Sequence, residues 1–147
     1  MNHLVLHLHV LAGCLLAGGS LYQALVVVPL AARAGDARAA LPSARRFFLW
    51  SAPALLVQTI TGPMLAAVWL PDPAQWLPTQ GALGAHVFAK IFCLGALAAL
   101  FLSARLLLAP RVADGRWGMR ALRLHAGMQA LLAVCFVVLG VSIRLGG

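Results

Sequence analysis

The groups in this chain best suited to chemistry are a handful of nitrogens set close to apolar runs. His3, His7 and His9 open the chain, and His86 precedes Lys90 by four residues. On a helix, His3 and His7 stand at i, i+4 and share a face. His9 lies about 200° round from His7, so the two point nearly opposite ways. Imidazole nitrogen suits copper, zinc, nickel and iron, and copper(II) takes several such ligands in a square-planar or tetragonal set. The expectation is a copper site drawn from His3, His7, His9 and His86. If the first turn frays, the amine of Met1, the amides across Asn2 and the ring of His3 form a terminal chelate as well.

Lys90 is the sharpest anomaly. It is the only lysine, sits one helical turn from His86, and falls inside an apolar run. An ammonium at that depth either snorkels outward, meets an anion such as a heme propionate, lipid phosphate or quinone oxygen, or loses its proton and acts as ligand or base. Cys14, Cys93 and Cys135 each fall near the middle of a run. They pack as small hydrophobes, with Cys14 and Cys93 as secondary candidates for soft copper(I). His125, with Gln129 one turn on, and Gln58, Thr59 and Thr61 read as interhelical hydrogen-bonding groups, His125 being a further secondary ligand candidate.

These residues need a scaffold, and composition says which. Of 147 residues, 63% are hydrophobic and 10% charged, with Asp36, Asp72 and Asp114 the only acids. Soluble domains carry about 25% charged residues, so the expected solvent is lipid. Four apolar runs, His3 to Leu30, Phe47 to Leu70, Gly84 to Leu108 and Ala121 to Leu145, exceed the roughly 20 residues that cross a bilayer. The fold expected is a single all-α bundle of four transmembrane helices over residues 1–147, with no visible repeat or linker. The first run is too long for a signal-peptide core and nothing basic precedes it.

The formal charge of +8 comes from Lys90 and ten Arg. Arg33, Arg38, Arg45 and Arg46 flank the first connection, and Arg105, Arg111, Arg116, Arg120 and Arg123 the third. The Pro71–Leu83 connection has no basic residue, and the C-terminus has Arg144 alone. By the positive-inside rule both termini then face the periplasm of a bacterial inner membrane. Such clustering beside apolar runs is a topology signal and argues against a nucleic-acid partner. Trp50, Trp69, Trp76 and Trp117 suit an interfacial aromatic belt.

Three stretches carry a resemblance. HVLAGCLLAGGSLYQALVVVP, from His9, resembles the opening helix of the CopD copper-resistance family and its small single-domain relatives. RRFFLWSAPALLVQTITG is similar to that family's second helix with its Thr-Gly, and AKIFCLGALAALFLSARLLLAP to its third, Lys90 and Arg105 matching the family Lys and Arg. The four-helix pattern also resembles the HemJ family, linked to protoporphyrinogen oxidation and b-type heme, with His9 and Lys90 at matching positions. The chain departs from it in having VVVPLAAR where a Leu-Pro-Arg is usual, and from CopD-like chains in having His125 where an acidic or other polar residue is common.

The resemblance implies copper binding or movement at the periplasmic face, with a periplasmic copper protein as partner. The alternative it implies is a heme b or quinone redox protein, with His9, His86 and Lys90 holding the cofactor. A third reading, from the residues alone, is an accessory subunit within a larger membrane complex. Membrane lipid is a partner in every case.

Overall fold

The computed structural model describes residues 3–115 and 118–145, the side chains of 143–145 excepted. Four helices make the molecule: α1 (His3–Arg33), α2 (Ala37–Trp69), α3 (Ala82–Ala113) and α4 (Met119–Leu145). No strand occurs among the described residues. All four helices are long and apolar enough to cross a membrane. Their outward faces are apolar too, with Leu25 69%, Phe92 69% and Leu131 65% exposed, a surface that water would not tolerate over so wide an area.

The helices outrun the apolar stretches that announce them. α2 begins about ten residues before Phe47: a 3-10 turn over Ala37–Ala40, capped by Asp36, leads into the α-helix at Leu41. Pro42 sits in the first α turn, where its missing N–H costs nothing, and Arg45 and Arg46 are good helix formers. Pro53 and Pro63 lie inside α2 without ending it, as neighbouring helices in lipid permit. α1 and α3 continue to Arg33 and Ala113 past Pro29 and Pro110. Each does so through a π turn, Gln23–Val27 ahead of Pro29 and Ala104–Leu108 ahead of Pro110. Widening the ladder there makes room for a proline ring that would otherwise strike the carbonyl four residues earlier.

Both helices then stop at a left-handed glycine, Gly35 (φ 68°) or Gly115 (φ 73°). At the first stop Gly35 N–H reaches Ala32 O and Asp36 N–H reaches Ala31 O, the paired bonds of a Schellman cap. The sequence shows no repeat, yet the α1–α2 and α3–α4 hairpins turn by the same device.

Packing is a ring. α1 lies against α2 and α4, and α3 against α4 and α2, so α1 and α3 face each other across the axis. At the basic end the core consists of Val27, Val28, Ala31, Ala40, Leu108, Val112, Leu122 and Ala126. Nearer the middle it is Ala12, Leu16, Ala54, Leu97, Phe101, Ala133 and Phe136. Phe47 stands edge-on to Phe101, centroids 5.3 Å apart, and a Cβ at Gly19 would collide with the Phe47 ring. Glycine at 19 is thus what lets α1 and α2 close.

Asp36 and Asp72 accept backbone N–H bonds from Arg38 and Ala74 in the connections, both at 2.9 Å. Trp76 donates to Leu70 O at 3.0 Å, and Trp50 and Trp69 are exposed. Arg116 and Trp117, used above for orientation and the belt, lie outside the described residues.

Candidate functional site

All four helices send a group to one point, roughly two turns in from the end that carries the α2–α3 connection. α1 supplies His9, α2 supplies Gln58 and Thr61, α3 supplies Lys90, and α4 supplies Phe136 and Gly140. His9 Nδ1 is 2.8 Å from Thr61 Oγ1, and Thr61 Oγ1 is 2.6 Å from Val57 O. A hydroxyl has one proton. Val57 O can only accept, so that proton goes to it, and Oγ1 must accept from His9 Nδ1–H. The proton on Nδ1 leaves Nε2 with the lone pair.

Lys90 Nζ lies 3.4 Å from Nε2 and donates to it in a long hydrogen bond. The same ammonium stands 4.8 Å from the centroid of Phe136, a cation–π contact. Gly140 makes the space: a Cβ there would come within 2.7 Å of Nζ. Lys90 therefore points toward the bundle axis, not along a snorkelling path. No acidic side chain pairs with it among the described residues.

Gln58 supports His9 from the backbone side, donating Nε2–H to His9 O at 2.6 Å. Its own Oε1 is buried with no partner among the described residues. Two glycines lie beside these groups, and only Gly13 is a tight position. A Cβ at Gly62 would lie 3.7 Å from His9 Cε1, and one at Gly13 would lie 3.1 Å from Gln58 Nε2.

The other candidates do not join this cluster. His3 and His7 share a face as their spacing requires, and that face is exposed; His9 is the imidazole that turns inward. His86 Nδ1 bonds back to Ala82 O at 2.8 Å on its own helix. Cys14 is exposed, and Cys93 packs against the middle core. His125 Nε2 donates to Leu100 O at 3.1 Å, tying α4 to α3 just before the π turn. No group of three or more His, Cys, Asp or Glu gathers for a metal among the described residues. Met1 and Asn2 of the terminal chelate lie outside them.

Reading by residue type alone misses Phe136 and Gly140. An apolar ring and a glycine in an apolar helix carry no chemical signal until a lysine is seen beside them. No family model, characterised protein or solved structure matches the chain, so any functional assignment comes from this cluster.

The donor atoms bear on each cofactor. Two ligands on opposite sides of one iron stand about 4 Å apart, since each metal–nitrogen bond is about 2.0–2.1 Å. His9 Nε2 and Lys90 Nζ are closer than that and bonded to each other, so this packing does not fit a heme between them. A carboxylate or carbonyl oxygen does suit an ammonium that has no counter-ion.

Proposed function

We propose that the chain is a multi-pass redox membrane protein of the quinone or heme b class, with His9 and Lys90 at its centre. The observation that supports this is the inward-turned Lys90 amine, 3.4 Å from a His9 Nε2 whose partner nitrogen is held by Thr61. A cation with no acid beside it, in a low dielectric, binds an oxygen that gains negative charge on reduction. In the quinone form Lys90 donates to the carbonyl oxygen, and His9, released from Lys90, exchanges a proton through Nε2. A heme would need Lys90 to leave His9 Nε2: His9 would then offer Nε2, Lys90 would pair with a propionate, and the group would supply one-electron chemistry.

A second reading, copper binding at the periplasmic face, is favoured by one observation. Two nitrogens 3.4 Å apart suit neighbouring positions on one ion if Lys90 is neutral; His3, His7 and His86 would have to bind a separate ion at the exposed rim. We also propose that the termini and the α2–α3 connection face the periplasm of a bacterial inner membrane, as the arginine distribution supports. An impermeant thiol reagent should then label a Cys placed at Gln75 in intact cells and miss one at Asp114.

Protein purified in mild detergent decides among these readings by absorbance, metal content and organic extraction. A Soret band with near-stoichiometric iron supports heme, and an extractable quinone without metal supports the quinone form. Copper in colourless protein supports the second reading. Absence of all three overturns the redox reading and favours an accessory subunit.

A further inference from the structure

A groove of about 550 Å³ runs along the outside of the bundle at the basic end, between α1 and α4. Its walls include Ala24, Pro29, Ala32 and Gly127, and Arg33 and Arg123 border it. Its origin is local: α1 widens into the Gln23–Val27 π turn and then meets Pro29, while α4 presents a glycine where a side chain would otherwise fill the space. A Cβ at Gly127 meets nothing within 4 Å.

The volume is in the range of small-molecule sites, and most of the wall is hydrocarbon. The two guanidiniums are exposed, and neither has a carboxylate partner among the described residues. A groove on a lipid-facing surface, apolar along its length and doubly cationic, is complementary to a molecule with an acyl chain and an anionic head. From this we propose that it is a binding site for one anionic phospholipid, its phosphate held by Arg33 and Arg123 and one acyl chain lying over Gly127. Guanidinium forks match phosphate oxygens in pairs, and basic pockets between membrane helices recognise such headgroups. The site is remote from His9 and Lys90 and stands whichever cofactor reading holds.

The test uses the full chain in phosphatidylcholine nanodiscs, titrated with a fluorescent phosphatidylglycerol. Saturable binding is expected, resisted neither by phosphatidylcholine of the same chains nor by millimolar inorganic phosphate. Arg33→Gln with Arg123→Gln should weaken it by at least about tenfold. Gly127→Leu should do so comparably with both arginines in place, because its Cβ enters open space and the side chain occupies the groove. Arg46→Gln, away from the groove, should leave binding unchanged, and melting temperatures should show all variants folded. Equal affinity in wild type, the arginine double variant and Gly127→Leu overturns the proposal. So does displacement by inorganic phosphate, which assigns the arginines to a free anion. A change of oligomeric state in Gly127→Leu with lipid binding intact overturns it too, and gives the groove to a second copy of the chain.

Discussion

Around His9, groups from all four helices meet at one imidazole and one amine, and hydrogen-bonding capacity is left over: the Nε2 lone pair engaged only by a 3.4 Å bond, the Lys90 ammonium, and Gln58 Oε1. Around His125, at the basic end, two interhelical polar pairs form, and Ser20 Oγ, one turn before Gln23, is buried without a partner among the described residues. His125 donates to Leu100 O at 3.1 Å and Gln23 donates to Ser43 Oγ at 3.0 Å. The basic end holds nearly all the charge, yet Arg33, Arg45, Arg105 and Arg123 are exposed. In the opposite half Lys90 is the one lysine or arginine among the described side chains, and it turns inward. Charge count is the topology signal, whereas convergence with unused capacity is what the proposed ligand site rests on. Polar groups paired between two helices are the hydrogen-bond glue of a membrane bundle.

The strongest way to break this contrast is Lys90→Met. In the redox reading it leaves an oxyanion or carboxylate unpaired at low dielectric, which in idealised terms costs several kcal/mol. Quinone or heme retention should fall at least about tenfold, each factor of ten being about 1.4 kcal/mol. Lys90→Arg should restore pairing with a carboxylate, since it keeps the charge. Retention that survives Lys90→Met would reduce the His9 cluster to glue. Under copper loading, with a neutral Lys90 as one of the ligands, Lys90→Met removes a nitrogen, and copper affinity should fall by at least about tenfold while Lys90→Arg fails to restore it.

Thr61→Val sharpens the contrast by leaving both His9 and Lys90 in place. It removes the oxygen that holds His9 Nδ1–H, and outer partners of this kind are worth about 10–100-fold in ligand affinity. The expected result is weaker retention with a stability loss of only about 1 kcal/mol, read by absorbance and thermal melting. Gly140→Ala should act in the same direction through Lys90, since its Cβ occupies the space next to Nζ. Equal loss of melting temperature and of retention in both variants would point to packing alone.

The smallest effects belong to the other region and to the exposed rim. His125→Leu removes one interhelical bond, for which about 0.6 kcal/mol is typical in membrane bundles, and retention should not move. His3→Ala with His7→Ala should change neither quantity. If copper affinity instead drops by at least about tenfold in that double variant, the copper reading gains the exposed face and the comparison fails.

Much of this was legible from residue type. Four apolar runs in a chain with three acids leave no solvent but lipid, and spacing alone opposed His9 to His7. Lys90 stood out because an ammonium in an apolar run is costly wherever it points. Helix ends were less legible. Hydropathy reports where lipid is expected, while Pro42 and the arginines let α2 start well before Phe47.

Sequence by itself determined the helical, lipid-compatible architecture and the short list of polar residues, because both follow from local composition and helical period. Tertiary structure decided which of those residues meet. His9 and Lys90 are 81 positions apart on diagonal helices, and their contact depends on how the ring of helices closes over Gly19 and Phe47. The glycine at 140 and the ring of Phe136 became part of the site only through that closure, as did the matching turns after Pro29 and Pro110. Such features depend on the rotation of one helix against another, which packing sets and no periodicity along a single helix encodes.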